Sequence, residues 1–164
     1  MSNTESKEYV LQRMGEEWPK FAALLDSIPD DDFDIPGVVD EWCLKELLGH
    51  VSFWAAKAAG DVQIASAGKP EDIEVPGGQE NVDRWNAREA AKGKAMQPGE
   101  LKALVLKSHN EARSALQAAP EATLAIEVQG WTVGVRFAED TYRHYREHGE
   151  HIGAWVRELE TTEA

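Results

Sequence analysis

The residues in this chain best suited to chemistry are its histidines: His50, His109, His144, His148 and His151. His144 and His148 are four residues apart, so on a helix their rings project from one face, one turn from each other. Two imidazoles so placed can bind one metal ion at about 2.0–2.1 Å each. Three neutral imidazoles would leave a divalent ion its full charge and at least one open position. Such an ion lowers the pKa of bound water or holds a sulfur as thiolate. Metal-activated hydrolysis and thiol transfer are the two reaction classes this admits.

A third ligand must come from another helix. His50 stands on an apolar stripe with Leu47, Val51 and Trp54 and is the histidine outside the C-terminal group that faces inward. Spacing alone leaves two blander readings open. A lone histidine on an apolar face is commonly a hydrogen-bonded core residue, and an HxxxH pair is commonly solvated. Three imidazoles buried together without an ion, however, leave several donors and acceptors in need of partners. His151, three residues after His148, reads as a residue at the mouth of the site or behind its ligands. His109 lies among Lys107, Ser108, Asn110 and Glu111 and is expected to face solvent. Glu139, Asp140 and Glu147 neighbour the pair and could orient a ring N–H, although Glu147 fits surface solvation better. Arg143 and Arg146 could meet a charged thiol carrier, or pair with Glu139, Glu147 and Glu150 along the helix.

The elements that must position these residues are helical. A stripe of Val10, Leu11, Met14, Trp18, Phe21, Leu24, Leu25 and Ile28 predicts a first helix over Thr4–Ser27, capped by Thr4 or Ser6. A loop rich in aspartate and proline follows. Asp40 is expected to cap a second helix, with Trp42 in its first turn and Gly68-Lys69-Pro70 at its end. A third helical region starts near Gln79 and is expected to break at Gly93. A further helix runs over Glu100–Ala118. Residues 124–135 admit a short hairpin or, equally, a long connection, and a last helix is expected over Val135–Leu159, carrying Phe137, Thr141, His144, His148, Ile152 and Trp155 on one stripe. Four principal amphipathic helices make an all-α bundle of a single domain, residues 1–164. Of the six tryptophans, five sit at stripe positions or helix starts and most of these are expected in the core, whereas Trp131 lies between glycines and could line a pocket.

The 164 residues include one cysteine, Cys43, which is expected to be a buried small hydrophobe and cannot form an internal disulfide. The first residues have neither the basic nor the apolar region of a secretory signal, and no stretch is long and apolar enough for a membrane span, so a cytoplasmic protein is expected. The net charge of −13 disfavours nucleic-acid and membrane-surface partners. The expected partner is a small molecule. Bundles of this size often expose an apolar helix face, which admits a homodimer.

The run Trp42-Cys43-Leu44-Lys45-Glu46-Leu47-Leu48-Gly49-His50-Val51-Ser52-Phe53-Trp54 resembles the W-x-x-K-[DE]-[LV]-[LI]-x-H-[LV]-x-x-W signature of the DinB-like superfamily. His144-Tyr145-Arg146-Glu147-His148, with Ile152 four residues on, resembles its C-terminal HxxxH. Val82-Asp83-Arg84-Trp85-Asn86-Ala87 resembles the segment between them. Order and spacing match over nearly the whole chain, closest in flavour to the ClbS/DfsB-type branch. The resemblance implies an up-down-down-up four-helix bundle with a long connection between its second and third helices. It implies a divalent ion, zinc or nickel, on His50, His144 and His148. It also implies an enzyme acting on a small electrophile, either by hydrolysis or by S-transfer from mycothiol, bacillithiol or glutathione. The ClbS-type branch includes a hydrolase that opens a cyclopropane without needing a metal, so a metal-free protein that binds or sequesters a small molecule is the alternative.

Overall fold

The computed structural model describes residues 5–163. Among the described residues there are, besides three short 3-10 turns, six α-helices and one short hairpin. They are α1 (Lys7–Asp26), α2 (Leu44–Ser66), α3 (Gly78–Lys94), α4 (Pro98–Ala118), β1 (Glu127–Val128), β2 (Trp131–Thr132), α5 (Val133–Asp140) and α6 (Tyr142–Glu163). The architecture is an all-α helical bundle, as the apolar stripes predict. The four long helices are α1, α2, α4 and α6, and α3 lies within the connection from α2 to α4.

Ser6 caps α1, its hydroxyl accepting the Tyr9 N–H at 3.1 Å. Thr4, the alternative cap, lies outside the described residues. Helix α2 starts later than expected. Its N-cap is Cys43, whose own N–H donates to the Glu46 carboxylate at 3.1 Å. Asp40 instead takes a left-handed conformation with φ 50° in a tight turn that bridges Val39 and Trp42, so Trp42 precedes the helix.

Gly93 does not interrupt α3, which runs on to Lys94. Its glycine serves a close crossing of α3 over α2. A Cβ on Gly49 would lie 2.9 Å from the Gly93 Cα, and a Cβ on Gly93 would lie 2.9 Å from the Gly49 Cα. The missing side chains let the two backbones touch, which seats α3 beside His50.

The hairpin forms as the β-leaning residues suggest, with Glu127 opposite Thr132 and Val128 opposite Trp131. Gln129 and Gly130 both have positive φ, 49° and 83°, as a two-residue hairpin turn of the primed type requires. The expected last helix is two helices. Thr141 breaks the path with φ −119° and ψ −101°, and its hydroxyl donates back to the Phe137 carbonyl at 2.7 Å. The core falls into two apolar clusters. One gathers Met14, Val62, Leu116 and Phe137, and the other gathers Phe21, Leu44, Leu101, Tyr145 and Trp155. Cys43 is buried. Among the tryptophans only Trp155 is fully buried; Trp18, Trp42, Trp54 and Trp85 are half-buried, so fewer belong to the core than expected.

Candidate metal centre

Helix α2 delivers His50, and α6 delivers His144 and His148 from adjacent turns. The three rings meet between the helices, within a group whose ligating nitrogens all lie within 4.8 Å of one another. His144 Nε2 is 2.9 Å from His50 Nε2 and 2.9 Å from His148 Nε2. Two nitrogens at that separation, each about 2.05 Å from a shared point, subtend about 90° there, which fits adjacent positions of an octahedral site. The donor set therefore suits a divalent transition ion.

The outward nitrogens explain why the rings point this way. Asn86 on α3 has its Oδ1 at 2.8 Å from Trp54 Nε1 and 3.1 Å from His50 Nδ1. An indole N–H only donates, so the Asn86 atom must be the amide oxygen. An oxygen accepts, so His50 Nδ1 must carry a proton and Nε2 a lone pair. His148 Nδ1 lies 3.1 Å from His151 Nδ1, a contact that can hold His148 in the same tautomer. His144 Nδ1 is buried with no partner among the described residues.

Burial holds all three rings neutral. It lowers His50 to about 4, against a small opposing effect of the Asn86 hydrogen bond. It lowers His148 to about 3, helped by the neighbouring His50 and His151. It takes His144 well below its ordinary 6.5, again with help from His148 and His50.

The structure brings His50, His144 and His148 together, and it puts His151 behind His148 as expected. His109 is a correction. It is buried, its Nδ1 is 3.0 Å from the Tyr145 hydroxyl, and its ring stacks on Trp18 at 4.2 Å. Its sequence neighbours are polar, but it stands four residues after Val105 and three before Ala112, on the inward stripe of α4. Glu147 is exposed, and Glu139 pairs with Arg143 at 2.7 Å. No carboxylate among the described residues bonds a triad ring. Asn86 takes that part, as a lone amide reaching inward from a polar helix.

A cavity of about 320 Å³ is lined by Trp54, Val82, Trp131 and Asp140 among others, and by none of the three histidines. Trp54 stands one turn after His50 on α2 and shares the Asn86 oxygen with it, Val82 stands one turn before Asn86 on α3, and Asp140 ends α5 ahead of the Thr141 break. Trp131 is 53% exposed and lines this cavity, the role its loop position suggested. A larger cavity of about 780 Å³ between α2 and α4 is lined by none of the triad. No described helix is long and apolar enough to cross a membrane.

The sequence profile described as "Mycothiol maleylpyruvate isomerase N-terminal domain" matches residues 14–152. No curated protein matches the chain. Among solved structures, an uncharacterised protein from Escherichia coli UTI89 superposes with TM-score 0.81 at 16% identity, covering 95% of both chains. DfsB, described as a sibling lethal factor precursor, superposes with TM-score 0.80 at 15% identity, covering 94% of this chain and 97% of its own. The colibactin self-resistance protein ClbS, solved with double-stranded DNA, gives TM-score 0.80 at 13% identity over 93% of this chain and 96% of its own. A mycothiol-dependent maleylpyruvate isomerase gives TM-score 0.77 at 19% identity; 91% of this chain is covered, but only 61% of the isomerase. The bundle has the fold of DfsB and ClbS, and the matched profile spans most of the sequence, so the chain belongs to the mycothiol maleylpyruvate isomerase N-terminal domain family.

Proposed function

We propose that this protein is a metal-dependent enzyme that joins a low-molecular-weight thiol to a small electrophile. His50, His144 and His148 hold a zinc or nickel ion. The observation that carries the reading is the convergence of the three Nε2 atoms, two of them backed by hydrogen-bonded Nδ1 atoms. A divalent ion bound there supplies Lewis acidity that lowers the pKa of a thiol or water reaching its open positions. Asn86 and His151 hold the rings in register, and Trp54, which shares Asn86 with His50, lines a nearby cavity. Thiol transfer is favoured over hydrolysis because the family is that of a mycothiol-dependent isomerase. Low-molecular-weight thiols of this kind belong to the reducing cytoplasm, where we place the protein.

Metal analysis of untagged protein tests the reading. We expect one equivalent of zinc or nickel, lost in His50→Ala and His144→Ala. Incubation with mycothiol, bacillithiol or glutathione and a panel of electrophiles should then give a conjugate detectable by mass spectrometry. Conversion without thiol incorporation would favour hydrolysis. A wild-type protein without metal would overturn the proposal in favour of a sequestering bundle. A single proton on His144 Nε2, shared between the other two Nε2 atoms at 2.9 Å each, would account for the cluster in that case.

A further inference from the structure

Helix α4 turns a face to solvent that no described residue covers. Gly99, Ala103, Leu106, Asn110, Ser114 and Ala118 are all exposed and recur at gaps of three and four, so they form one stripe along the helix. Leu106 is the projection on that stripe. It is 47% exposed, and the other large hydrophobic residues left so open among the described ones are aromatic, Tyr9 and Trp131. Beside it lies the cavity of about 780 Å³, whose α4 wall includes Lys107, Asn110, Glu111 and Ser114, with Gln63 and Ser66 opposite on α2. A knob and a hollow thus stand next to each other on one face.

We infer that this face of α4 docks a second copy of the chain, α4 running antiparallel to α4 about a two-fold axis, with Leu106 of each copy seated in the hollow of the other. A two-fold contact needs one patch that carries both the projection and its recess, and α4 carries both. Lys107, Asn110, Glu111 and Ser114 are spaced as i, i+3, i+4 and i+7, the four corners of a hole that receives one knob from a facing helix. Seating Leu106 there puts Ala103 level with Ser114 of the second copy, and Gly99 level with Ala118 of the second copy. Small residues then face small residues on either side of the knob, and the two helices can approach closely.

Charge selects the same partner and the same register. The chain carries 17 basic and 30 acidic residues, so two copies repel over most of their surface. Helix α4 departs from that balance, with Lys102, Lys107 and Arg113 against Glu100 and Glu111. In the two-fold arrangement Lys107 lies within about half a turn of Glu111 of the second copy, and the symmetry makes the contact twice. Within one chain the same two groups are exposed and 3.9 Å apart, a loose pair that is readily exchanged for one across the axis. None of the three histidines lines this cavity, so the association does not depend on a bound ion.

Sedimentation equilibrium of the full chain, with and without chelator, measures the association. We expect a dimer that dissociates on dilution, with the same dissociation constant in both conditions. Leu106→Glu should leave a monomer with unchanged helical content and Tm, because Leu106 is already exposed in the single chain. Lys107→Glu and Glu111→Lys should each weaken self-association about tenfold, since each sets like charges against each other twice. Mixed in equal amounts, these two variants should associate with each other at close to wild-type strength, because every facing pair is then opposite in sign. Both variants lose the same pair within the helix, so recovery on mixing reads only the contact between copies. A wild-type chain that stays monomeric at about 1 mM would overturn the inference and leave the face to an unlike partner. So would a dimer undisturbed by Leu106→Glu, or charge variants whose mixture associates no better than either alone.

Discussion

His50 and Trp54, one turn apart on α2, both donate to a single oxygen on Asn86, at 3.1 Å and 2.8 Å. The shared acceptor fixes the tautomer of His50 from a helix that contributes no ligand. Asn86→Ala should therefore weaken metal binding by about 10–100-fold while the helical content stays unchanged. Asn86→Asp, which keeps the accepting oxygen, should recover most of that loss. Competition with a chelator of known affinity reads both.

His148 and His151 stand in an unequal relation although both belong to the HxxxH region. His148→Ala should remove the bound ion. His151→Ala should keep one equivalent and lower affinity by about tenfold, because it removes only the Nδ1 contact behind His148. Elemental analysis after dialysis distinguishes the two, and the opposite ranking would reassign the ligand.

The crossing of α2 and α3 leaves no room at Gly49 or Gly93, where an added Cβ meets backbone on the facing helix. Gly93→Ala should cost about 3 kcal/mol, a fall in Tm of roughly 6–12 °C for a chain of this length. It should also push Asn86 away from His50 and so lower metal affinity. Gly149→Ala, where the nearest atom to the added Cβ is 3.9 Å away, is the control and should change Tm little.

His109 gives the fold an acid-sensitive point. Burial, and secondarily the charge of Arg113, lowers its pKa from 6.5 to about 4. The unfolded chain therefore binds this proton at a higher pH than the folded protein does. The stability it contributes is complete above pH 6.5 and is lost as pH falls towards 4. His109→Phe should be less stable than wild type at pH 7, having lost the Tyr145 hydrogen bond, and should close that gap as the pH is lowered. Thermal melts across the range measure the difference.

The surface charge argues against a duplex partner. ClbS was solved with double-stranded DNA, but this chain carries 17 basic and 30 acidic residues. We expect no gel-shift of a short duplex at physiological salt, since affinity for phosphate backbones depends on displacing counterions with lysine and arginine.

Helix geometry made a histidine pair and an inward third ring legible, and the resemblance to the DinB-like signature singled out His50, His144 and His148 as the set. HxxxH fixes two rings on one face, and the apolar neighbours of His50 turn the third inward. His109 was misread because polar residues beside it in sequence outweighed its own place on the stripe of Val105 and Ala112. Gly93 was misread for a related reason. A glycine within a helix is a breaker by propensity, but the close approach that requires it is visible only when Gly49 stands opposite. The start of α2 was missed because Asp40 is a better cap by type than Cys43, and Glu46 supplies the capping contact from within the helix. No local pattern announced the carboxyl of Asp140 as part of the cavity wall, since its surroundings come from α2, α5 and the hairpin together.

The break at Thr141 divides labour along what a single stripe would have made one rod. Downstream of it α6 carries His144 and His148; upstream, α5 and the hairpin carry Trp131, Arg136 and Asp140 of the cavity wall. A rod would transmit any rotation of Asp140 directly to His144. With a joint between them, residues 127–140 can be exchanged or re-angled while the histidines keep their register. The bundle is thus a socket with an interchangeable head, and chimaeras that graft residues 127–140 from a relative should retain metal and acquire that relative's preference.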